Sequence, residues 1–293
     1  MKTRSIFSAL TDSLAIILFV YLLVFPQNAS EPTRNALYFC AQTLIPSLFI
    51  YMVLAKMIIS LPATDWLAKR IGTGSIVFVS GLLCGCPIGA KIALSLYESG
   101  RIDKRYAEYL CSFTNNASVS FVVGYVGGEL FRSRGIGIRL FIFQIIASAV
   151  TAFLIKRLMY GKVHLKSIYS ESAGRVPLRE AVTDSAQTMI SVCACAVFFI
   201  VAASSISGFL GLPPVWDAII KCLLEFSSGC AAGARLDSGA LGICAFSIGF
   251  TGLSVFLQVK SVVSGKLSVK PFAVGKLISA MVMTLLSLLS EAL

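Results

Sequence analysis

The stretch Gly85-Cys86-Pro87-Ile88-Gly89-Ala90-Lys91 packs a helix breaker, two glycines and an ammonium into seven residues. Pro87 removes a backbone donor and glycine lowers helix propensity, so the stretch leaves main-chain amides for whatever lies beside it. With Lys91 next to them, those amides suit an anion; the competing use is tight helix packing on small residues, with Lys91 reaching along its stem to an interface. A second cluster, Ser112-Phe113-Thr114-Asn115-Asn116-Ala117-Ser118, sets two carboxamides inside the charge-free run 109–128. Buried amides need partners, so they either glue helices together or line a hydrated path. Farther on, Glu225 precedes Phe226-Ser227-Ser228-Gly229, and Thr251, Gly252, Ser254, Gln258 and Lys260 follow. Glu225 reads as a proton or cation coupling group, or as part of an interfacial amphipathic helix over 215–226.

Bond-breaking chemistry is not expected. The single histidine, His164, lies in a basic loop, no apolar segment carries paired carboxylates, and no P-loop is present, so neither an enzyme nor an ATPase is read here. The nine cysteines include two CxC pairs, Cys84/Cys86 and Cys193/Cys195, both in apolar segments. They read as small hydrophobes, with a soft-metal path as the alternative, so no metal site or cofactor is expected.

What must position these residues is a set of membrane helices. Apolar residues make up 57% of the 293 and charged ones 13%, and charge-free runs span 13–30, 35–55, 71–90, 109–128, 140–155, 185–216, 238–259 and 277–290. A hydrocarbon core about 30 Å thick takes about 20 apolar residues per helix. The runs are continuous and do not alternate, which argues against a β-barrel. The fold class expected is all-α, a polytopic bacterial inner-membrane protein in contact with the lipid bilayer. The net charge of +11 sits in loops such as 101–105 and 156–179, as positive-inside orientation requires, and no nucleic-acid partner is expected.

If every run crossed once, the most basic loop would face outward. Letting 75–97 dip in and return repairs this, and the glycine-proline break falls there. Residues 1–30 then form an amino-terminal anchor helix, retained despite the small residues Ala29 and Ser30. Membrane repeat 1 covers 31–160, the basic cytoplasmic loop 161–182, and membrane repeat 2 covers 183–293, with a second re-entrant segment at 240–262. The basis for a repeat is Ser99-Gly100-Arg101-Ile102 against Ser264-Gly265-Lys266-Leu267, an offset of 165. Each half reads long helix, broken segment, Ser-Gly-basic turn, helix. One copy begins outside and the other inside, which makes them inverted repeats, an arrangement whose ligand sites form at discontinuous helices.

The order Ile45-Pro46-Ser47-Leu48-Phe49, then GCPIGAK at 85–91, SFTNNAS at 112–118, Glu225 with SSG at 227–229, and GFTGLSVFLQ at 249–258 resembles the YlbJ-type sporulation integral membrane proteins, within the wider nucleoside-recognition or Gate-domain group. The resemblance covers roughly 35–290. It implies a transport-type fold with paired re-entrant elements, a role in endospore formation, and movement of dipicolinate. The matching positions, implied as substrate-binding, are Gly85, Pro87, Gly89, Ala90, Lys91, Thr114, Asn115, Asn116, Glu225, Gly229, Gly252 and Gln258. Cys84 and Cys86 depart from the larger or hydroxylated residues expected there. The function implied is transport of a small-molecule anion; the alternatives are a scaffold for sporulation envelope proteins and a transporter of nucleosides or metals. A homo-oligomer is compatible with each.

Overall fold

A computed structural model describes residues 4–161, 175–263 and 265–292. His164, most of the basic loop and Ser264 of the Ser-Gly-basic turn lie outside the described residues. Within them the chain is helical throughout, with no strand.

The first half opens with α1 (Arg4–Val24), then α2 (Gln27–Phe39), which runs through a π-helical turn at Cys40–Leu44 into α3 (Ile45–Ile59). Pro46, which has no N–H to give the helix ladder, follows that π turn directly. Next come α4 (Pro62–Ile71), α5 (Thr73–Cys84), α6 (Ile88–Glu98) and α7 (Lys104–Thr114). The chain unwinds over 115–118, re-forms as a π-helical segment Ser120–Leu130, and ends the half in α8 (Arg134–Ile155). The second half is α9 (Leu178–Leu210), α10 (Pro214–Leu224), α11 (Phe226–Gly233), α12 (Ala240–Phe250), α13 (Gly252–Val263) and α14 (Lys270–Ala292).

Five helical stretches are long and apolar enough to cross a bilayer: Gln27–Ile59, Arg134–Tyr160, Leu178–Leu210, Ala240–Val263 and Lys270–Ala292. Large apolar side chains such as Ile190, Phe198, Met281 and Leu285 point outward, as lipid contact requires. The protein is therefore a multi-pass membrane protein. The broken stretch Ala240–Val263 is 61% buried against 28–39% for the other four, so it is the inner element.

Segment 75–97 falls in two short helices, α5 and α6, on either side of Gly85-Cys86-Pro87, with Gly85 at φ 79°. Segment 240–262 is also broken, at Thr251 (φ 64°) and Gly252 (φ 73°). There, however, α12 packs along α14 while α13 packs against α9 and α6. After the first 33-residue helical stretch come α4 and then two short helices split at a break, and after the second come two such short helices alone; in each half a broken helix and then a long helix follow. By element order α5–α6 therefore stands opposite α10–α11, and 104–130 opposite 240–263, a different pairing from the one the 165-residue offset suggests.

Two apolar cores flank the breaks. One gathers Cys86, Ile88, Ala90, Leu110, Val255 and Phe272, and the other Ala117, Phe121, Leu140, Cys230, Ile248 and Met283.

Candidate functional site

Each pair of short helices is fastened to the broken helix of its own half. In the first half glycines permit the approach: a Cβ on Gly81 or Gly89 would collide with the Thr114 carbonyl, and one on Gly275 with that of Ser112. Asn115, completely buried, accepts a hydrogen bond from the Ala90 amide at 2.8 Å and donates to the Cys111 carbonyl at 2.9 Å. It thus closes the open end of α7 and caps α6, whose first amides have no ladder partner. Asn116 donates to Phe113 O and accepts from Ser148 Oγ at 3.0 Å. Gln144 of α8 brackets Ala117, accepting its N–H at 3.2 Å and donating to its carbonyl at 2.9 Å. Main chain that is not helical is tolerable at membrane depth because side chains satisfy it in this way.

In the second half Glu225 does the corresponding work itself. Its carboxylate accepts from Ser227 Oγ and, at 2.9 Å, from the Ser228 amide, capping α11 at the end where helix dipoles favour negative charge. Ser247 Oγ donates to Phe226 O at 2.8 Å. Gly229 lies against Cys222 and Ser247, and Gly252 against Leu224 O and Glu225.

The breaks converge on one enclosed cavity lined by Gly85 and Cys86, Ala117 and Ser118, Glu225 and Phe226, and Gln258, with Leu44, Leu48, Phe121 and Val255 among its apolar walls. At ≈ 20 Å³ it has room for the centre of about one water. A larger ligand enters only when one of the walls moves. Glu225 is buried to 2% exposure, and both hydrogen bonds to its carboxylate fall on Oε2. Gln258 donates to Ser254 Oγ at 3.3 Å.

Of the residues singled out in sequence, Gly85, Glu225 and Gln258 line this cavity. Pro87 is the cis-linked residue that ends the first break. Gly89, Ala90, Thr114, Asn115, Asn116, Gly229 and Gly252 hold the breaks together from behind. Lys91 lies elsewhere: its ammonium pairs with Asp184 at 2.6 Å and donates to Thr188 Oγ1 at 2.6 Å. It lines a second cavity, ≈ 390 Å³, with Lys56, Glu98, Arg101, Glu180 and Asp184. Lys56 pairs there with both Asp184 and Glu180, each at 3.2 Å.

Sequence reasoning passed over Gln144, Ser148, Asp184 and Lys276. Gln144 is a carboxamide inside the charge-free run 140–155, the same signal that drew attention to the two asparagines. Asp184 and Lys276 each sit one residue outside a run, where they read as flanking charges. The thiols do not assemble a metal site: among the described residues no three His, Cys, Asp or Glu side chains converge.

Across 95% of its length the chain is 23% identical to the sporulation integral membrane protein YlbJ of Bacillus subtilis, covering 81% of that protein. No protein-family model matches the chain, and no solved structure matches it. Over nearly its whole length, and in a helical multi-pass architecture, the chain is thus similar to a YlbJ-type sporulation integral membrane protein.

Proposed function

We propose that the protein carries a small organic anion, dipicolinate, across a bacterial inner membrane during endospore formation, in the mother-cell or forespore membrane. The observation that carries this reading is the convergence of three helix breaks, at Gly85-Cys86, Ala117-Ser118 and Glu225-Phe226, on one cavity with Ser118, Glu225 and Gln258 in its wall. Broken helices at membrane depth are costly unless they serve a site, and they are the recurrent site-forming element of secondary transporters. A scaffold for envelope assembly gains nothing from a buried carboxylate and carboxamide around a cavity. Apart from α4, the helix order is common to the two halves, which supports a repeat, inverted in this reading, with α5–α6 and α10–α11 as its re-entrant elements and the basic cytoplasmic loop at 161–182. The sporulation role rests on similarity to YlbJ.

In this reading Gly85, Cys86, Ser118 and Gln258 meet the ligand, and Glu225 carries a proton or coupling cation. Pro87, Gly89, Thr114, Asn115, Asn116, Gly229 and Gly252 fix the geometry. Lys91 belongs to the larger cavity, which serves as a vestibule. One observation favours a nucleoside as the second reading: Phe121 and Phe226 both line the cavity, with ring centroids 4.8 Å apart, and offer a flat base a stacking surface. The pyridine ring of dipicolinate uses the same surface.

Thermal unfolding of the purified full chain against dipicolinate, nucleosides and divalent ions tests this. A ligand that binds the folded state raises the melting temperature with concentration. Dipicolinate is expected to do so. Stabilisation by nucleosides instead would establish the second reading, and no stabilisation by either would refute transport of both.

A further inference from the structure

A buried ionisable side chain lies outside the cavity wall. Lys276, on the second turn of α14, is 4% exposed. Among the described residues its amino group makes no ion pair, and its nitrogen, which is not one of the fully buried polar atoms left without a partner, keeps some accessible surface. Its nearest compensation is the ring of Phe272, 6.0 Å from ammonium to centroid, which offsets a small part of what an ammonium loses on leaving water. An ionisable side chain kept in such a position, inside a membrane helix, calls for a counter-charge.

Its neighbours show where that counter-charge would come from. Lys276 lies within electrostatic reach of the Cys86 thiol, and Cys86 is part of the cavity wall. The adjoining Gly275 is pressed against the Ser112 carbonyl, three residues before the unwound 115–118 begins. Phe272 packs in the same apolar core as Cys86, Ile88 and Val255. Lys276 therefore lies on the side of α14 that closes on the end of α7, near the α5–α6 break whose Cys86 forms part of the cavity wall. Glu225, the ionisable group in the cavity wall itself, is already occupied by Ser227 and Ser228 and makes no ion pair with Lys276.

We infer that Lys276 is the cation that receives a carboxylate of the transported anion, its flexible stem bringing the ammonium past Cys86 as the cavity widens. The inference rests on the transport reading and deepens it: the residue that selects the carboxylate is Lys276 in place of Lys91. A carboxylate brought to an otherwise unpaired buried ammonium gains a charge-assisted hydrogen bond with no competing partner to displace, whereas Lys91 would have to release Asp184.

The test compares wild type, Lys276→Met and Lys276→Arg as full-length purified protein, titrated with dipicolinate and with its uncharged analogue pyridine-2,6-dimethanol. Thermal unfolding is the readout. Lys276→Met is expected to weaken dipicolinate binding about tenfold or more and to leave the diol unaffected, while Lys276→Arg retains most of the affinity. Without ligand, Lys276→Met should melt no lower than wild type, because a buried amino group that makes no ion pair has been replaced by an apolar side chain of similar length. Wild-type affinity for dipicolinate in Lys276→Met overturns the inference and leaves the transport reading standing. Failure of wild type to bind dipicolinate at all overturns both. A Lys276→Met protein that cannot fold also overturns the inference, since a charge serving only the ligand is dispensable without it.

Discussion

Gln144→Leu isolates the part of the site that sequence reasoning overlooked. Gln144 is 1% exposed and holds both backbone groups of Ala117, in a stretch where neither has a helical partner. Leucine has nearly the same volume, so the change opens no sizeable cavity and the loss is confined to two hydrogen bonds. Each buried group left unsatisfied costs about 1–3 kcal/mol, which gives about 2–6 kcal/mol for the pair. Side-chain hydrogen bonds measured inside membrane proteins average about 0.6 kcal/mol, so about 1 kcal/mol is the floor. Ser148→Ala, which removes a single donor to Asn116 Oδ1, should cost about half as much. Thermal unfolding in detergent gives the ordering, and hydrogen exchange at the Ala117 amide gives the location. Gln144→Leu is expected to lower the melting temperature by several degrees and to expose that amide. An unchanged melting temperature together with an Ala117 amide protected as in wild type would show that the unwound segment is held by something other than Gln144.

Two further perturbations address packing and charge. Gly81→Ala forces a Cβ into the Thr114 carbonyl, a backbone atom that cannot rotate away, and should cost about 1–3 kcal/mol of stability. Gly124→Ala has nothing within 4 Å and should be neutral or stabilising; equal melting temperatures for the two variants would contradict the close packing of α5 on α7. Asp184→Asn removes the carboxylate that pairs with Lys91 and leaves Lys56 its second partner, Glu180. The expected loss is about 1 kcal/mol for a partly exposed network, with faster labelling of Lys91 by an amine-directed reagent while Lys56 changes less. Unaltered Lys91 labelling would mean the ion pair does not hold α6 to α9.

Both first-half breaks were legible because proline, glycine and carboxamides in apolar runs have few other uses. Glu225 was legible as an anomaly but not as a helix cap, since its partners Ser227 and Ser228 fit an amphipathic surface helix equally well. The reading of 240–262 as re-entrant shows a real limit. A hairpin and a broken spanning helix both need a Thr-Gly interruption, and they differ only in whether the chain reverses. The partners of each half-helix bear on that, here α14 for α12 and α9 with α6 for α13, and no local residue pattern records them. Lys276 was illegible for the same reason: its nearness to Cys86, 190 positions away, follows from Gly275 letting α14 close on Ser112.

The distribution of polar contacts also indicates where the molecule can open. The hydrogen bonds that cap the breaks stay within a half: Ala90 to Asn115 and Gln144 to Ala117 in the first, Ser247 to Phe226 and Gln258 to Ser254 in the second. Across the seam the cavity walls meet through apolar contact, as Phe121 meets Phe226. Beside the cavity the polar link between halves is a long contact from Cys40 Sγ to the Cys193 carbonyl; farther out are Lys91 with Asp184, Lys56 with Glu180, Lys266 with Glu98, and Glu108 with the Ser268 amide. Each half can therefore keep its breaks capped while the seam widens, at the expense of nondirectional apolar packing that reforms in a shifted register. The directional bonds at the rim must break or pivot instead. Asp184, which holds the ammonium groups of α3 and α6 from α9, is the bond on which that separation would first be felt.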